Sequence, residues 1–294
     1  MFDKPVYIGR FAPSPTGPLH LGSLYTALAS FLDAKSNQGQ WLLRIDDLDV
    51  PRNITGAAAQ ILSTLETFGL HWDASVAYQS ESLSIYENAL TKLAETQTIY
   101  TCVCSRKTLA TEGDCHCLEK QIDLNTLHAY RVRTDQRLIE FNDRLQGTVI
   151  SNMAEQDDFI LKRKDQIVAY QFAVVLDDAI QGVTHVVRGY DLLELTPKQI
   201  YLQKLLGLAT PVYMHVPIIM DAQGFKLSKQ TLAEAVSLKE PQKIIFQLLQ
   251  LLGQSPPQAL KTVCLSELLE WAIEHWNPEH LKSCHSIKQF AEPS

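Results

Sequence analysis

The sequence predicts an α/β fold: a parallel sheet covered by helices, an inserted unit of short antiparallel strands, and a short helical C-terminal part. Three observations predict it. Strand and helix patterns alternate up to residue 99 and again from residue 166, the rhythm of βαβ units. Between about Tyr100 and Arg163 that rhythm breaks into cysteines and short alternating segments. Beyond Lys229 the chain turns helical.

The elements follow in order. Val6-Tyr7-Ile8 is an apolar run and reads as the first strand. A Pro- and Gly-rich loop comes next, and a helix is expected from Leu19 to about Lys35. Gln40–Ile45 reads as the second strand and ends in the acidic cluster Asp46-Asp47-Leu48-Asp49. Asn53 or Thr55 would cap a helix running through Leu62 and Leu65 to Gly69. Another is expected from Ser82 to Thr96, with Ile85, Ala89, Leu90 and Leu93 on one face. Ala129–Arg133 and Gly147–Ile150 are the alternating strands of the insertion. The α/β rhythm resumes with a helix near Tyr170–Leu176 and a strand at Val183–Val187. A helix capped by Thr196-Pro197 and ending at Gly207 follows, then a strand at Val212–Met220. Ile244–Leu252 and Leu265–Trp276 are the clearest of the last helices.

A chain of 294 residues, 46% hydrophobic and 20% charged, can bury a sizeable core. No run of about 18 apolar residues marks a membrane span, and Met-Phe-Asp-Lys-Pro lacks the pattern of a signal peptide. The expectation is a cytoplasmic protein without a membrane partner. A net charge of −7 lacks the basic footprint usual in nucleic-acid binders. Arg106-Lys107 and Lys162-Arg163-Lys164 are the dense basic clusters, and each also fits a solvated face.

Two places carry chemistry. At residues 6–23, strand, tight loop and helix N-terminus make an anion site, because backbone N–H groups and the positive end of the helix dipole point outward there. His20 adds a donor, and Gly22 allows close approach to the backbone. Secondly, Cys102-Val103-Cys104 and Cys115-His116-Cys117 place four soft ligands within about 16 residues, which suits tetrahedral zinc better than disulfides in a cytosolic chain. Cys115 or His116 could supply the fourth ligand. Cys264 and Cys284 lie far away and read as buried or free thiols.

Three separated motifs resemble one family. Arg10-Phe11-Ala12-Pro13-Ser14-Pro15-Thr16-Gly17-Pro18-Leu19-His20-Leu21-Gly22-Ser23 resembles the His-Ile-Gly-His signature of class I aminoacyl-tRNA synthetases in its glutamyl form. Asp158–Arg163, with Tyr170–Asp178 and Val183–Gly189, is similar to the central block of glutamyl-tRNA synthetases. Lys226-Leu227-Ser228-Lys229-Gln230 resembles their Lys-Met-Ser-Lys-Ser loop, with Gln230 departing from the pattern. The likeness covers roughly residues 6 to 232. Only about 65 residues follow the loop, too few for a large anticodon-binding domain. That shortness, together with the cysteines, resembles the glutamyl-queuosine tRNA(Asp) synthetases, paralogues that place glutamate on an anticodon base.

The resemblance implies a Rossmann-type catalytic domain in two halves, residues 1–99 and 166–225. Between them lies a zinc-bearing acceptor-type subdomain at 100–165, and a helical stem-contact-like part follows at 226–294. It implies ATP, with Mg²⁺, and L-glutamate as substrates, tRNA(Asp) carrying queuosine as acceptor, and a monomer that activates glutamate without tRNA. His20, Gly22 and Lys229 would serve ATP, with Lys226 in support and Lys229 stabilising the departing pyrophosphate. Arg10, Ala12, Ser14, Asp46, Tyr170 and Arg188 would bind glutamate. Asp46 stands where the family has Glu, and its other readings are an N-cap or a salt bridge to Arg44. One zinc on Cys102, Cys104, Cys115 and Cys117 would be structural, since four protein ligands leave no open position. The alternatives are a truncated glutamyl-tRNA synthetase charging a 3′ end, and a silent zinc-containing RNA-binding paralogue.

Overall fold

The computed structural model describes residues 6–112, 115–120, 122–123, 125–156, 158–221, 224 and 235–288. Strand β1 (Ile8–Phe11) leads through the Pro-rich loop into helix α1 (Leu21–Ser36). The strand begins two residues later than the apolar run suggests, so Arg10 and Phe11 of the motif belong to the strand rather than the loop. Strand β2 (Gln40–Ile45) has the expected bounds. Helix α2 (Ala57–Thr67) starts from Gly56 at φ 81°, not from a side-chain cap at Asn53 or Thr55. A left-handed start suits glycine and makes a polar cap unnecessary. Strand β3 (Ala77–Tyr78) and helix α3 (Leu83–Glu95) follow, and α3 buries Tyr86 while Ile85 is exposed. The Tyr86 hydroxyl reaches Asp177 at 2.7 Å, which lets an aromatic residue with a polar tip take the inner position.

The insertion is antiparallel, as expected. Strand β4 (Ile99–Cys102) is followed by a short helix, α4 (Arg106–Glu112), that the sequence did not signal. Strand β5 (Ala129–Val132), the hairpin β6 (Leu138–Asp143) and β7 (Gly147–Asn152), and β8 (Ile160–Lys162) complete it. The pairing order is β4-β5-β8, with β6-β7 alone. Helix α5 (Tyr170–Ile180), strand β9 (His185–Gly189) and helix α6 (Thr196–Leu206) restore the α/β order. Gly207, at φ 67°, ends α6 as expected. The strand expected over Val212–Met220 is two strands, β10 (Val212–Val216) and β11 (Ile218–Met220). Pro217 has no N–H to donate, so the ladder changes partner there. Helices α7 (Pro241–Leu251) and α8 (Leu265–Glu274) follow, and the C-terminal part also contributes a strand, β12 (Ser286–Lys288), parallel to β11.

Strands β1, β2 and β3 pair in parallel, as do β9 and β10. Just before β9, Thr184 N–H donates to Ile8 C=O at 2.9 Å and lays the two pieces side by side. The resulting order β3-β2-β1-β9-β10 is that of a Rossmann sheet. Alternate residues serve opposite faces. Val187 and Met214 join a core with α1, α7 and α8, while Val186 and Tyr213 join another with α3, α5 and α6. Among the described residues no helix is long and apolar enough to cross a membrane.

Asp33 of α1 pins three distant segments together. It is fully buried, accepts two bonds from Arg144 in the β6–β7 turn (2.5 and 3.1 Å), one from Trp276 Nε1 (2.9 Å), and one from the Tyr7 hydroxyl. Asp33→Ala would strand Arg144 and Tyr7 without their acceptor. Urea denaturation should show a loss of roughly 2–3 kcal/mol, less than for a fully buried ion pair because Arg144 is partly exposed and can be solvated once Asp33 is gone.

Candidate active site

The carboxyl ends of β1 and β9 sit at the topological switch point, where open α/β sheets bind ligands. A cavity of about 470 Å³ opens there. Of the residues expected to form the site, Arg10, Ala12, Ser14, His20, Gly22, Tyr170 and Arg188 all line it. Asp46 instead lines a neighbouring cavity of about 300 Å³, whose wall shares Ser14, Arg52 and Tyr170 with the first. Lys226 and Lys229 lie outside the described residues. The described chain resumes at Ala235, which forms a β-bridge with His20, while Val236 N–H donates to Leu19 C=O.

His20 caps α1. Its Nδ1 accepts from Ser23 N–H at 3.2 Å, so the neutral ring carries its proton on Nε2, which meets Ser23 Oγ at 2.9 Å. The ring thus sits at the cavity with Nε2–H turned toward Ser23 Oγ.

Three buried arginines surround the site, and their charges are treated differently. Arg10 pairs with Asp178 at 3.1 and 3.4 Å. Arg44, from β2, holds Asp46 (2.8 Å), Asp178 (2.7 Å) and the Gln181 side-chain Oε1 (2.8 Å), with Asp177 at 3.7 Å. Burial alone would raise Asp178, but Arg10 and Arg44 outweigh it and hold that carboxyl below its ordinary value. Asp46 is the reverse case: burial, helped by Asp177 and Asp178, pushes it from 3.8 to about 6 despite Arg44. Arg188 has no carboxylate partner among the described residues. Its Nε donates to His215 Nε2 (3.0 Å), one Nη donates to Thr196 Oγ1 (2.8 Å), and its plane lies over the Tyr213 ring at 5.3 Å. The other nitrogen, Nη1, is buried without a partner.

Sequence reasoning passed over Arg44, Asp143, Asp177, Asp178, Thr196 and His215 as site residues. Their signal was present: two adjacent acids on the apolar helix α5, and a histidine within the apolar strand β10.

The cysteines converge. The four Sγ atoms of Cys102, Cys104, Cys115 and Cys117 lie within 4.8 Å of one another, with separations of 3.5 Å (102–115), 3.8 Å (104–115) and 3.5 Å (104–117). A disulfide needs about 2.05 Å. A tetrahedral metal with S at about 2.3 Å spaces its ligands about 3.8 Å apart, which the cluster matches. Cys115 completes the set, and His116 stands outside it. The cluster can hold one metal ion.

A parallel sheet of this order, a donor-lined cavity at its switch point and an insertion carrying four cysteines define a class. The chain belongs to the class I tRNA synthetases (E and Q): the description of their catalytic domain matches residues 8–123 and 115–286. It is a ligase of the aminoacyl-tRNA synthetase type. Relatives named glutamyl-Q tRNA(Asp) synthetase match almost end to end. The protein of Neisseria meningitidis serogroup C (strain 053442) is 47% identical over 292 residues, covering 94% of this chain and 98% of its own. That of Thiobacillus denitrificans is 48% identical over 284 residues, 93% of this chain and 94% of its own. A solved glutamate tRNA ligase from Elizabethkingia meningosepticum, in complex with its amino acid, aligns with a TM-score of 0.81 at 26% identity, over 98% of this chain and 68% of that one.

The electrostatics predict a pH effect. Asp46 binds its proton more tightly folded than unfolded, so its ionised form costs stability. That cost is absent below 3.8 and complete above about 6, and Asp177, raised by burial, adds to it. Asp178 and Asp143 act oppositely and at lower pH: their stabilisation is present above the ordinary carboxylate value and lost as pH falls below it. His215, held at about 4 by burial, acts the other way over the same range, so the Asp46 effect is read as a difference. In urea denaturation at a series of pH values, the stability of Asp46→Asn relative to wild type should rise as pH goes from 3.8 to about 6.

Proposed function

We propose that this ligase activates L-glutamate with ATP, without tRNA, and transfers it to queuosine in the anticodon of tRNA(Asp). The observation that carries the amino-acid half is Arg188, a buried cation at the cavity wall with one nitrogen unpartnered. A carboxylate supplies the missing acceptor with charge assistance, whereas an amide supplies only a neutral oxygen. Arg10, Ala12, Ser14 and Tyr170 complete the glutamate site, with Asp46 reaching the ammonium from the adjoining cavity. The α-carboxylate attacks the α-phosphate of ATP, and pyrophosphate leaves with its Mg²⁺. His20 and the N–H groups near Gly22 hold the phosphates, and Lys229, supported by Lys226, offsets the charge of the leaving group. The acceptor half is supported by relatives of matching length that carry the glutamyl-Q name.

The metal is proposed to be one structural zinc on Cys102, Cys104, Cys115 and Cys117, closing the loop that carries α4. Elemental analysis should find about one zinc per chain after dialysis, and Cys102→Ser should lose it. Folded, zinc-free wild-type protein would remove the metal from this account.

Transfer is tested with labelled glutamate on tRNA(Asp). Pyrophosphate exchange should proceed with glutamate, ATP and Mg²⁺ alone. Label should enter tRNA whose 3′ end was first oxidised with periodate, through a hydroxyl of the queuosine cyclopentene ring. It should be absent with tRNA(Asp) from cells that make no queuosine. Periodate-sensitive labelling of tRNA(Glu) would favour 3′-end charging instead.

A further inference from the structure

We propose that Asp143 and His215 form a relay that positions Arg188 and keeps its charge uncompensated, so that this pair sets the preference for a carboxylate over an amide; the inference rests on the glutamate reading above. The hydrogen-bond directions are forced. Arg188 Nε–H can only donate, so His215 Nε2, 3.0 Å away, must present its lone pair. The Thr196 hydroxyl accepts from Arg188 at 2.8 Å and lies 3.1 Å from His215 Nε2 and 3.2 Å from Leu192 C=O; whichever of the two takes its proton, Nε2 faces donors and carries no hydrogen of its own. His215 Nδ1 then carries the ring proton and donates it to Asp143 Oδ2 at 2.6 Å. The other oxygen, Oδ1, accepts from Leu145 N–H and Gln146 N–H at 3.0 Å and from His215 N–H at 3.3 Å. Asp143 is 1% exposed and His215 is 0% exposed, so water competes at neither.

The relay solves a charge problem. A buried arginine normally takes a carboxylate partner, as Arg10 and Arg44 do here. Direct pairing with Asp143 would neutralise Arg188 and weaken its hold on an anionic ligand. An imidazole between them fixes the guanidinium by a neutral acceptor and moves the compensating charge one ring away. Burial and the Arg188 charge push His215 down to about 4, and the His215 bond holds Asp143 below its ordinary value, so the ring stays neutral and the carboxyl ionised. Thr196 and the Tyr213 face complete a cage in which Arg188 makes no ion pair among the described residues, although Asp191 lines the same cavity, and Nη1 is left without a partner. Asp143 comes from the inserted hairpin, so the insertion takes part in reading the amino acid.

The test compares wild type with Asp143→Asn, His215→Leu and His215→Gln in pyrophosphate exchange, with thermal unfolding as the control for folding. Loss of a hydrogen bond to a buried charged group should raise KM for glutamate about 10- to 100-fold in His215→Leu, with kcat little changed. Asp143→Asn releases the ring to protonate at Nε2 and should behave likewise, and in both variants the glutamate-to-glutamine ratio of kcat/KM should fall. His215→Gln places an amide oxygen where Nε2 stood and should recover most of the loss. A KM within about twofold of wild type in folded His215→Leu would overturn the relay, as would His215→Gln no better than leucine. Wild-type protein that activates no glutamate would instead refute the proposed function. The relay is then decided by ¹⁵N NMR of the wild-type ring, or if the leucine variant fails to fold. A neutral Nδ1–H form at neutral pH supports it, and an Nε2–H form or an imidazolium defeats it.

Discussion

Arg44 is 1% exposed and sits where two strands and a helix must agree on one geometry. It leaves β2, holds Asp46 at the end of the same strand, and reaches Asp178 and Gln181 on α5, more than 130 residues later in the chain. Asp178 then shares itself with Arg10 of β1. Asp177, its neighbour, ties in Gln79 and Tyr86. Two arginines and three aspartates thus form one dry cluster beneath the cavity. Burial of Asp46, with a smaller push from Asp177 and Asp178, outweighs Arg44 and raises its proton affinity. The cluster fixes Arg10 and the C-terminal end of α5, the helix that begins at Tyr170, in one frame.

The insertion is anchored by the same means. The β6–β7 turn sends Asp143 to His215, Arg144 to Asp33, and the Gln146 amide to the carbonyls of His215 and Cys284. Leu145 joins the core shared by α1, α7 and α8. A segment that interrupts the α/β rhythm therefore reaches back into the catalytic half and touches the C-terminal part. Polar side chains do this work, because a two-stranded hairpin alone buries too little apolar surface to hold a fixed place.

What the sequence made legible follows from how local each signal is. The second strand, the α6 stop at Gly207 and the four-cysteine set rest on short patterns, and the structure keeps them. The misplacements come from long-range competition. Ile85 lost the inner face of α3 to Tyr86 because Asp177, far along the chain, offered its hydroxyl an acceptor. Val212–Met220 broke at Pro217 because β9 and β12 claim different parts of it. Strand β12 was invisible because three residues pairing with a remote strand carry no periodicity. In the site, the motif positions lining the cavity could be read from their order. The groups that set their charge state, Arg44, Asp178 and His215, show in the sequence only as polar residues on apolar elements, and apart from the Arg44–Asp46 pair their partners, being distant in sequence, do not.

The two ends of the cavity are prepared to different degrees, and the difference bears on the proposed chemistry. Arg188 is held on three sides before any ligand arrives, so carboxylate recognition costs little reorganisation. At the end proposed for phosphate, His20 is engaged with its own helix: Nδ1 takes Ser23 N–H and Nε2–H faces Ser23 Oγ. A phosphate at the α1 N-terminus must compete with that hydroxyl for the ring proton. The exchange replaces a neutral acceptor by an anionic one, which strengthens the bond as negative charge accumulates. The bridge from His20 to Ala235 makes the same histidine the point where the chain returns from the Lys226–Lys229 motif. On the proposed reading, glutamate recognition rests on side chains held in place at the strand ends, whereas the response to phosphate charge is gathered at a single helix cap.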